Sequence, residues 1–568
     1  MATIDQPSKC YGTQRGSGKM LKVTLNEKEA RLCQLLDDLS QTYRQEHPDQ
    51  KPLTLRIAGG WVRDKLLGLE SSDIDVAVDI MTGYELAQLV RHGLQKVGHK
   101  TSQVAKINSN PERSKHLETA TMMVLDMSID FVNLRSEVYD PQSRIPSAVQ
   151  FGTPTEDAYR RDITINALFY NIHTREVEDF TSRGIPDLVE GIVRTPLAAY
   201  ETFQDDPLRI LRCIRFASRF RFAMDPDIPL AVQKPEILSA LREKISRERI
   251  GSEVNKMIKH ENASLALRYI TRLALHPYIF SLPSSVTEKI IDMTSVDRVT
   301  VQLDWLFTDT HRALIFSGPH EYLSDELADQ RRLLYLSACL YPLRDIVIPH
   351  GKRSFSGPQY VVRESLKLSN QDMDFAHRLI AAYEPWQRIV KAIASPSSAA
   401  MDSTQIPLPV QVGLLIRTLG QLWPTALLFA FCEQASRDVL NVREHNEPGL
   451  EEPKLSDMIN ETACRELAES YHQTVEFIVD HELAKCHTWK HVLTGRPLAK
   501  KLKVPPGPNV GQVLELVMEW QLLHPQGTAA ECETYLRACP KVAAITNSNP
   551  GASSGGEMNN KSKRRKSE

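Results

Sequence analysis

The chain has 568 residues, 42% of them hydrophobic, enough to bury large cores; that length predicts roughly three or four domain-sized units and excludes a small single-site protein. A formal net charge of −2 excludes a polycation that grips nucleic acid over its whole surface, so any RNA or DNA contact has to come from local basic faces. Nine cysteines without a C-x-x-C pair, and no secretory signal, point to reduced thiols in a cytosolic or nuclear compartment rather than zinc ligands or a disulfide framework.

Residues 1–19 are polar and glycine-containing, and Met20 opens the first segment of folded composition. A start at Met20 would be one way to change the address. Because residues 1–19 make a poor transit peptide, mitochondrial import stands only beside a cytoplasmic and nuclear location. From about residue 50 to 195 the texture is α/β: "LTLRIA", "DIDVAVD", "TATMMVLD", "SIDFVNLR" and "INALFYNI" have strand composition.

After the first of these, Gly59-Gly60 permits a sharp turn and "WVRDKLLGL" fits a short helix beginning there. Backbone N–H groups at such a start suit phosphate oxygens, and Arg63 could add bidentate charge to the same anion. The pair alone also fits a purely structural turn. In "DIDVAVD" alternation places Ile74, Val76 and Val78 on one face and Asp73, Asp75 and Asp79 on the other. Two carboxylates two residues apart repel, which either leaves a wet acidic face or is relieved by a divalent cation. A phosphoryl-transfer site with two Mg²⁺ ions needs such a pair. Asp130 in "SIDFVNLR" is the candidate third carboxylate, with Asp126 as the alternative.

From about 200 to 540 the chain reads as helix after helix, with prolines at the joints. The most apolar stretch, residues 410–432, is interrupted by Arg417, Gln421 and Pro424, fails the uninterrupted-run test for a membrane span, and is expected to be a buried helix pair. Residues 541–568 are rich in Ser, Asn and Gly, a composition that does not fold. Their Lys561–Lys566 cluster reads either as a nuclear-import signal or as a solvated tail.

Five motifs then fall in order: "GGWVRD" with "DIDVAVD", "RRDITINAL" at 160–168, "QDDPLRILRCIRF" at 204–216 and "ISRERIGSEVNKM" at 245–257. In order and spacing they resemble class II tRNA nucleotidyltransferases, the CCA-adding enzymes, over most of residues 50–260 and more weakly near the C-terminus. "NPERSKHLETATM" is similar to the fungal branch. The resemblance implies an α/β nucleotidyltransferase head of the DNA polymerase beta superfamily, a mixed sheet with helices, followed by an extended all-helical neck, body and tail. The head with an N-terminal helix would occupy 21–195, the neck 196–270, and the body and tail 271–540, with 1–20 a disordered or targeting segment and 541–568 a disordered tail.

It further implies Mg²⁺ at Asp73 and Asp75, with Asp130 completing the catalytic carboxylates. Nucleotide contacts would come from Gly59, Gly60 and Arg63, and Arg160, Arg161, Asp162 and Asn166 would serve the ribose and triphosphate. Asp206 and Arg209, three apart and expected on one helix face, would act as an amino-acid template. A carboxylate accepts from an exocyclic amine and a guanidinium donates to the adjacent ring nitrogen. Cytosine and adenine present that edge; uracil and guanine oppose both groups. Arg212 and Arg215 continue toward the nucleotide, Arg219 reads as an exposed ridge, and Asp205 stands where many members have Glu. Arg247, Glu248, Arg249 and Glu253 would brace the template helix, and residues 103–122 match a loop that moves when specificity passes from CTP to ATP.

The implied reaction is template-independent addition of C, C and A to the 3′ end of tRNA from CTP and ATP, releasing pyrophosphate. The same resemblance implies the partners: tRNA, CTP and ATP, with no membrane, and a monomeric chain. Alternatives are an enzyme that adds only CC or only A, a poly(A) polymerase, and an inactive RNA-binding protein. For the tRNA elbow the candidate is residues 491–525, with Arg496, Lys500, Lys501 and Lys503; a helix-capping loop with solvated lysines is the other reading.

Overall fold

The computed structural model describes residues 22–98, 101–107, 119–139, 146–286, 293–307, 311–316, 327–350, 353–395, 406–439, 459–505 and 507–547. The expectations for the N-terminal segment, the centre of the 103–122 loop and the Lys561–Lys566 cluster lie outside the described residues; of the tail expected to be disordered from 541, residues 541–547 instead continue a helix, Pro540–Asn547, which packs Val542 into the C-terminal core. Two compact units are present. One comprises Met1–His311, Ser324–Ile380 and Cys432–Cys464, and the other Arg312–Leu323, Ala381–Phe431 and Arg465–Glu568.

The first unit opens with helix α1 (Glu27–Glu46), started by a capping box in which Asn26 and Glu29 satisfy each other's backbone N–H groups. Strand β1 (Arg56–Ala58), helix α2 (Gly60–Leu66), strand β2 (Ile74–Val78) and helix α3 (Gly83–Lys96) follow. Then come β3 (Ala105–Ile107), β4 (Thr119–Val124), β5 (Met127–Asn133), the hairpin β6 (Arg135–Tyr139) and β7 (Pro146–Phe151), helix α4 (Pro154–Tyr159), β8 (Phe169–Asn171) and β9 (Glu176–Glu178). Seven strands form one mixed sheet in the order β3-β4-β5-β2-β1-β8-β9. Only the β2–β5 pair is parallel within it, as a crossover through α3 requires. Val76, Val78, Ile129 and Phe131 are fully buried, together with Leu86 and Ala87 of α3.

Sequence composition located the strands but overran their ends. "LTLRIA" is paired only from Arg56, and "INALFYNI" breaks into a 3₁₀ turn at Thr164–Asn166 before β8. β3, β9 and the β6–β7 hairpin are short or lack an alternating pattern, and pairing defines them, β3 on β4, β9 on β8 and β6 on β7. Helix α5 (Gly184–Glu190) and strand β10 (Ile192–Val193) lead to helices α6 (Ala199–Asp205) and α7 (Leu208–Phe220). Strand β11 (Ala223–Met224), helices α8 (Asp227–Val232) and α9 (Pro235–Glu243), and helix α10 (Arg247–Lys259), which packs on α7, follow. Farther on, the helical texture is broken by a hairpin, Val347–His350 with Arg353–Ser356.

The second unit is helical in its described residues. Near the C-terminus Leu498, Val513, Val517, Trp520, Cys532 and Leu536 form a common core. The apolar stretch within Leu408–Asp438 is long and apolar enough, by length and composition, to cross a membrane. As expected from its interruptions, it is a pair of helices, Leu408–Leu419 and Trp423–Asp438, parted by a 3₁₀ turn at Gly420–Leu422. Val412, Ile416, Leu427 and Phe429 are fully buried, the pattern of a core helix pair.

Candidate active site

The parallel register of β2 on β5 sets Asp75 directly opposite Asp130, as it sets Ile74 opposite Ile129. Asp73 lies just before β2, and the three residues offer carboxylate oxygens all within 4.8 Å of one another. Asp126 is excluded from this group: it sits in the β4–β5 turn in a left-handed conformation, φ 62°. Asp79, on the same strand face by sequence, accepts from Lys51 at 2.8 Å. Thr121 on β4 donates to Asp130 at 2.6 Å and orients it. Burial, then repulsion from Asp73 and Asp130, pushes the Asp75 carboxyl up to about 7, against an opposing pull from Arg161. Three convergent, mutually repelling oxygen donors fit a hard divalent cation.

Beside the triad, Gly59 adopts φ 73°, ψ −122° at the entry to α2. A Cβ there would stand 2.7 Å from Arg161 Nη1, so both the turn and the close approach of Arg161 require glycine. Arg63 is 3% exposed. It donates to Asp64 at 2.8 and 2.6 Å and to the Asn166 side chain, and it stacks on Phe216 and Phe220, each 4.9 Å away. Its partners are thus internal ones.

The second motif is an ion network. Asp157, 1% exposed, accepts from Arg160 at 2.8 Å and from Arg161 at 3.0 and 2.8 Å. Asp162 accepts from Asn166 at 3.1 Å, from its neighbour's N–H at 2.9 Å, and from Arg212 of α7 at 2.7 Å. Burial alone would raise both carboxyls, but the guanidiniums outweigh it and hold each down to about 2. Asp162 is therefore occupied by protein groups here, and Arg212 and Arg215 turn to Asp162 and Glu253, the latter at 2.6 Å from Arg215.

The template pair requires a correction. Asp206 is not on a helix with Arg209: it is the extended residue (φ −138°, ψ 97°) between α6 and α7. The cause is Pro207, which disfavours helical backbone in the residue before it. The Asp206 carboxylate accepts from Leu208 N–H at 3.1 Å and from Arg249 of α10 at 2.8 Å. Arg209, 7% exposed, donates through Nη2 to the Arg160 carbonyl at 2.6 Å, while its buried Nη1 has no partner among the described residues. Both residues still line one cleft.

That cleft, about 1070 Å³, runs from Asp73 and Asp75 past Asp206 and Arg209 to Lys256 and His260. Eleven Arg and Lys against seven Asp and Glu line it, so it suits a polyanion despite the near-neutral chain. Sequence reading missed Asp157, Asp64 and the Phe216–Phe220 pair. The spacing of Asp157 three and four residues before Arg160 and Arg161 was the available signal.

A carboxylate triad at a parallel strand pair, beside a cationic helix, defines the nucleotidyltransferase class of head. The family model described as "Poly A polymerase head domain" matches residues 55–194. The mitochondrial CCA tRNA nucleotidyltransferase of Saccharomyces cerevisiae is 38% identical, with 91% of this chain and 94% of the relative covered. The tRNA nucleotidyltransferase cca2 of Schizosaccharomyces pombe is 32% identical over 91% and 99%. Among solved structures, the Thermotoga maritima CCA-adding enzyme complexed with tRNA shares the fold, with a TM-score of 0.53 at 17% identity over 92% of this chain and 96% of that one. The chain belongs to the CCA tRNA nucleotidyltransferase family, and is a nucleotidyltransferase enzyme.

Proposed function

We propose that the chain adds C, C and A in turn to the 3′ end of tRNA, taking CTP and ATP and releasing pyrophosphate. The observation that carries this reading is one cleft lined both by Asp73 and Asp75, which Asp130 joins in a carboxylate triad, and by the Asp206–Arg209 pair, with Arg209 Nη1 buried and unpaired among the described residues. Leaving such a donor unsatisfied is costly, and a ring nitrogen of cytosine or adenine would satisfy it. A carboxylate has about four acceptor positions. Leu208 and Arg249 together take up most of those on Asp206, which leaves Oδ2 room for an exocyclic amine.

Asp73, Asp75 and Asp130 would hold Mg²⁺, which when bound assists deprotonation of the tRNA 3′-hydroxyl and neutralises the triphosphate. Arg160 and Arg161, fixed by Asp157, would face the triphosphate. Asp162 and Asn166 would hold Arg212 and Arg63 in place around the sugar, and Gly60 would admit the nucleotide to the backbone at α2. Arg249 would steady Asp206, so that base choice is made by a rigid pair.

Residues 21–195, 196–270 and 271–540 would serve as head, neck, and body with tail, and the chain would act as a monomer. The name of the S. cerevisiae relative places that protein in mitochondria. For this chain we extend the reading to cytoplasm, nucleus and mitochondrion, to be checked by fractionation.

The test uses tRNA transcripts ending at the discriminator base, at C and at CC, each with Mg²⁺ and CTP, ATP or both, resolved at single-nucleotide length. Three nucleotides added to the bare transcript, and no more, is the expected result. Arrest after CC, or activity only on the CC end, would replace it with a divided pathway. A long A ladder would mean a poly(A) polymerase.

A further inference from the structure

Helix α1 precedes the residues matched by the head-domain family, yet it is joined to the head by buried charge. Glu29, 2% exposed, spends one oxygen on its own capping box, accepting from Asn26 N–H at 2.8 Å. The other accepts from the Trp61 indole at 3.1 Å and stands 3.0 Å from Lys65 Nζ. Lys65, also buried, reaches on to Glu70 at 2.9 Å. Glu70 is 80% exposed on its side chain and belongs to the segment 67–73 that connects α2 to Asp73.

Asp75 and Asp130 are fixed within paired strands, whereas Asp73 precedes the strand and takes its position from this segment. Backbone bonds from Gly68 to Lys65 (3.1 Å) and Leu69 to Asp64 (2.8 Å) hold its start. Past Leu69, the side-chain tether among the described contacts is Glu70 on Lys65.

We propose that Glu29, Lys65 and Glu70 form a positioning chain that pre-orders Asp73 as a ligand in the carboxylate site, making α1 a working part of the head. The proposal rests on the reading that the triad holds a divalent cation. A tether of this kind lowers the ordering cost of cation binding and leaves the chemistry unchanged.

The experiment titrates the full-length protein with Mn²⁺, following free Mn²⁺ by electron paramagnetic resonance, in the wild type, Glu70→Ala and Lys65→Arg. Glu70→Ala is expected to weaken Mn²⁺ binding by about twofold to fivefold, the range of a partly exposed ion pair, with an unchanged thermal midpoint. Lys65→Arg keeps the charge and is expected to bind nearer to the wild type than Glu70→Ala does. Unchanged Mn²⁺ affinity in Glu70→Ala, with the wild type binding normally, overturns the tether alone. Weakening accompanied by a drop of several degrees in the midpoint also overturns it, because the effect is then general loosening. A wild-type protein that binds no Mn²⁺ overturns the metal-site reading and the tether with it.

Discussion

Gly59 and Arg209 show how single positions carry the site. At φ 73° and with Arg161 Nη1 only 2.7 Å from any added Cβ, Gly59 has two independent reasons to be glycine. Gly59→Ala is expected to lose about 1–3 kcal/mol of stability, read by urea denaturation, and to lower CTP incorporation because Arg161 is displaced. Arg209→Ala removes the group that distinguishes a ring acceptor from a ring N–H. It is expected to shrink the ratio of CTP to UTP incorporation by about tenfold or more, at the structural cost of the single Nη2 bond to the Arg160 carbonyl. Unchanged selectivity would remove Arg209 from the template. Asp73 and Asp75 were legible as residues because strand alternation has a period of two. Asp157 was legible only as a spacing, since nothing in a sequence says that a carboxylate will be buried beneath two arginines.

Between elements, α7 is the joint: Arg212 ties it to Asp162, Arg215 to Glu253 of α10, and Phe216 and Phe220 clasp Arg63 of α2. The Asp162 carboxyl is held down to about 2 in the fold against 3.8 for the ordinary group. A depressed carboxyl contributes stability that is present above its unfolded value and lost as pH falls through the folded one. The window is therefore about pH 4 to 2, and the amount on the order of 2 kcal/mol. In Asp162→Asn the loss of stability between pH 5 and pH 3, measured by urea midpoints, is expected to be shallower than in the wild type, on a lower overall stability. Helix period failed at Asp206 because the chain leaves the helix there, and the signal that corrects it, Asp-Pro at 206–207, is local. The pairing of β3, β9 and the β6–β7 hairpin had no comparable local signal.

Across the molecule, the near-neutral chain concentrates cationic side chains in the cleft, and residues 491–525 carry a further Arg496, Lys500, Lys501 and Lys503. Helix Gly495–Leu502 ends at Lys503 in a left-handed conformation. Lys500 and Lys503 are exposed, while Lys501 is engaged with Glu533 at 2.6 Å. Replacing Lys500 and Lys503 by alanine is expected to weaken tRNA binding and to reduce its log–log salt slope by about 1.5–2, with CTP binding unaffected, as filter binding over a salt series would show. An unchanged slope would return this segment to a helix-capping role. By itself the sequence determined the α/β head, the helical remainder, the ordered motifs and hence the family, because periodicity and motif spacing are properties of neighbours along the chain. Only the tertiary structure decided which third carboxylate joins Asp73 and Asp75, which arginines remain for a substrate, and that α1 is anchored into the head. Strand register and the sharing of buried charges are set by residues far apart in sequence, and no local pattern encodes them.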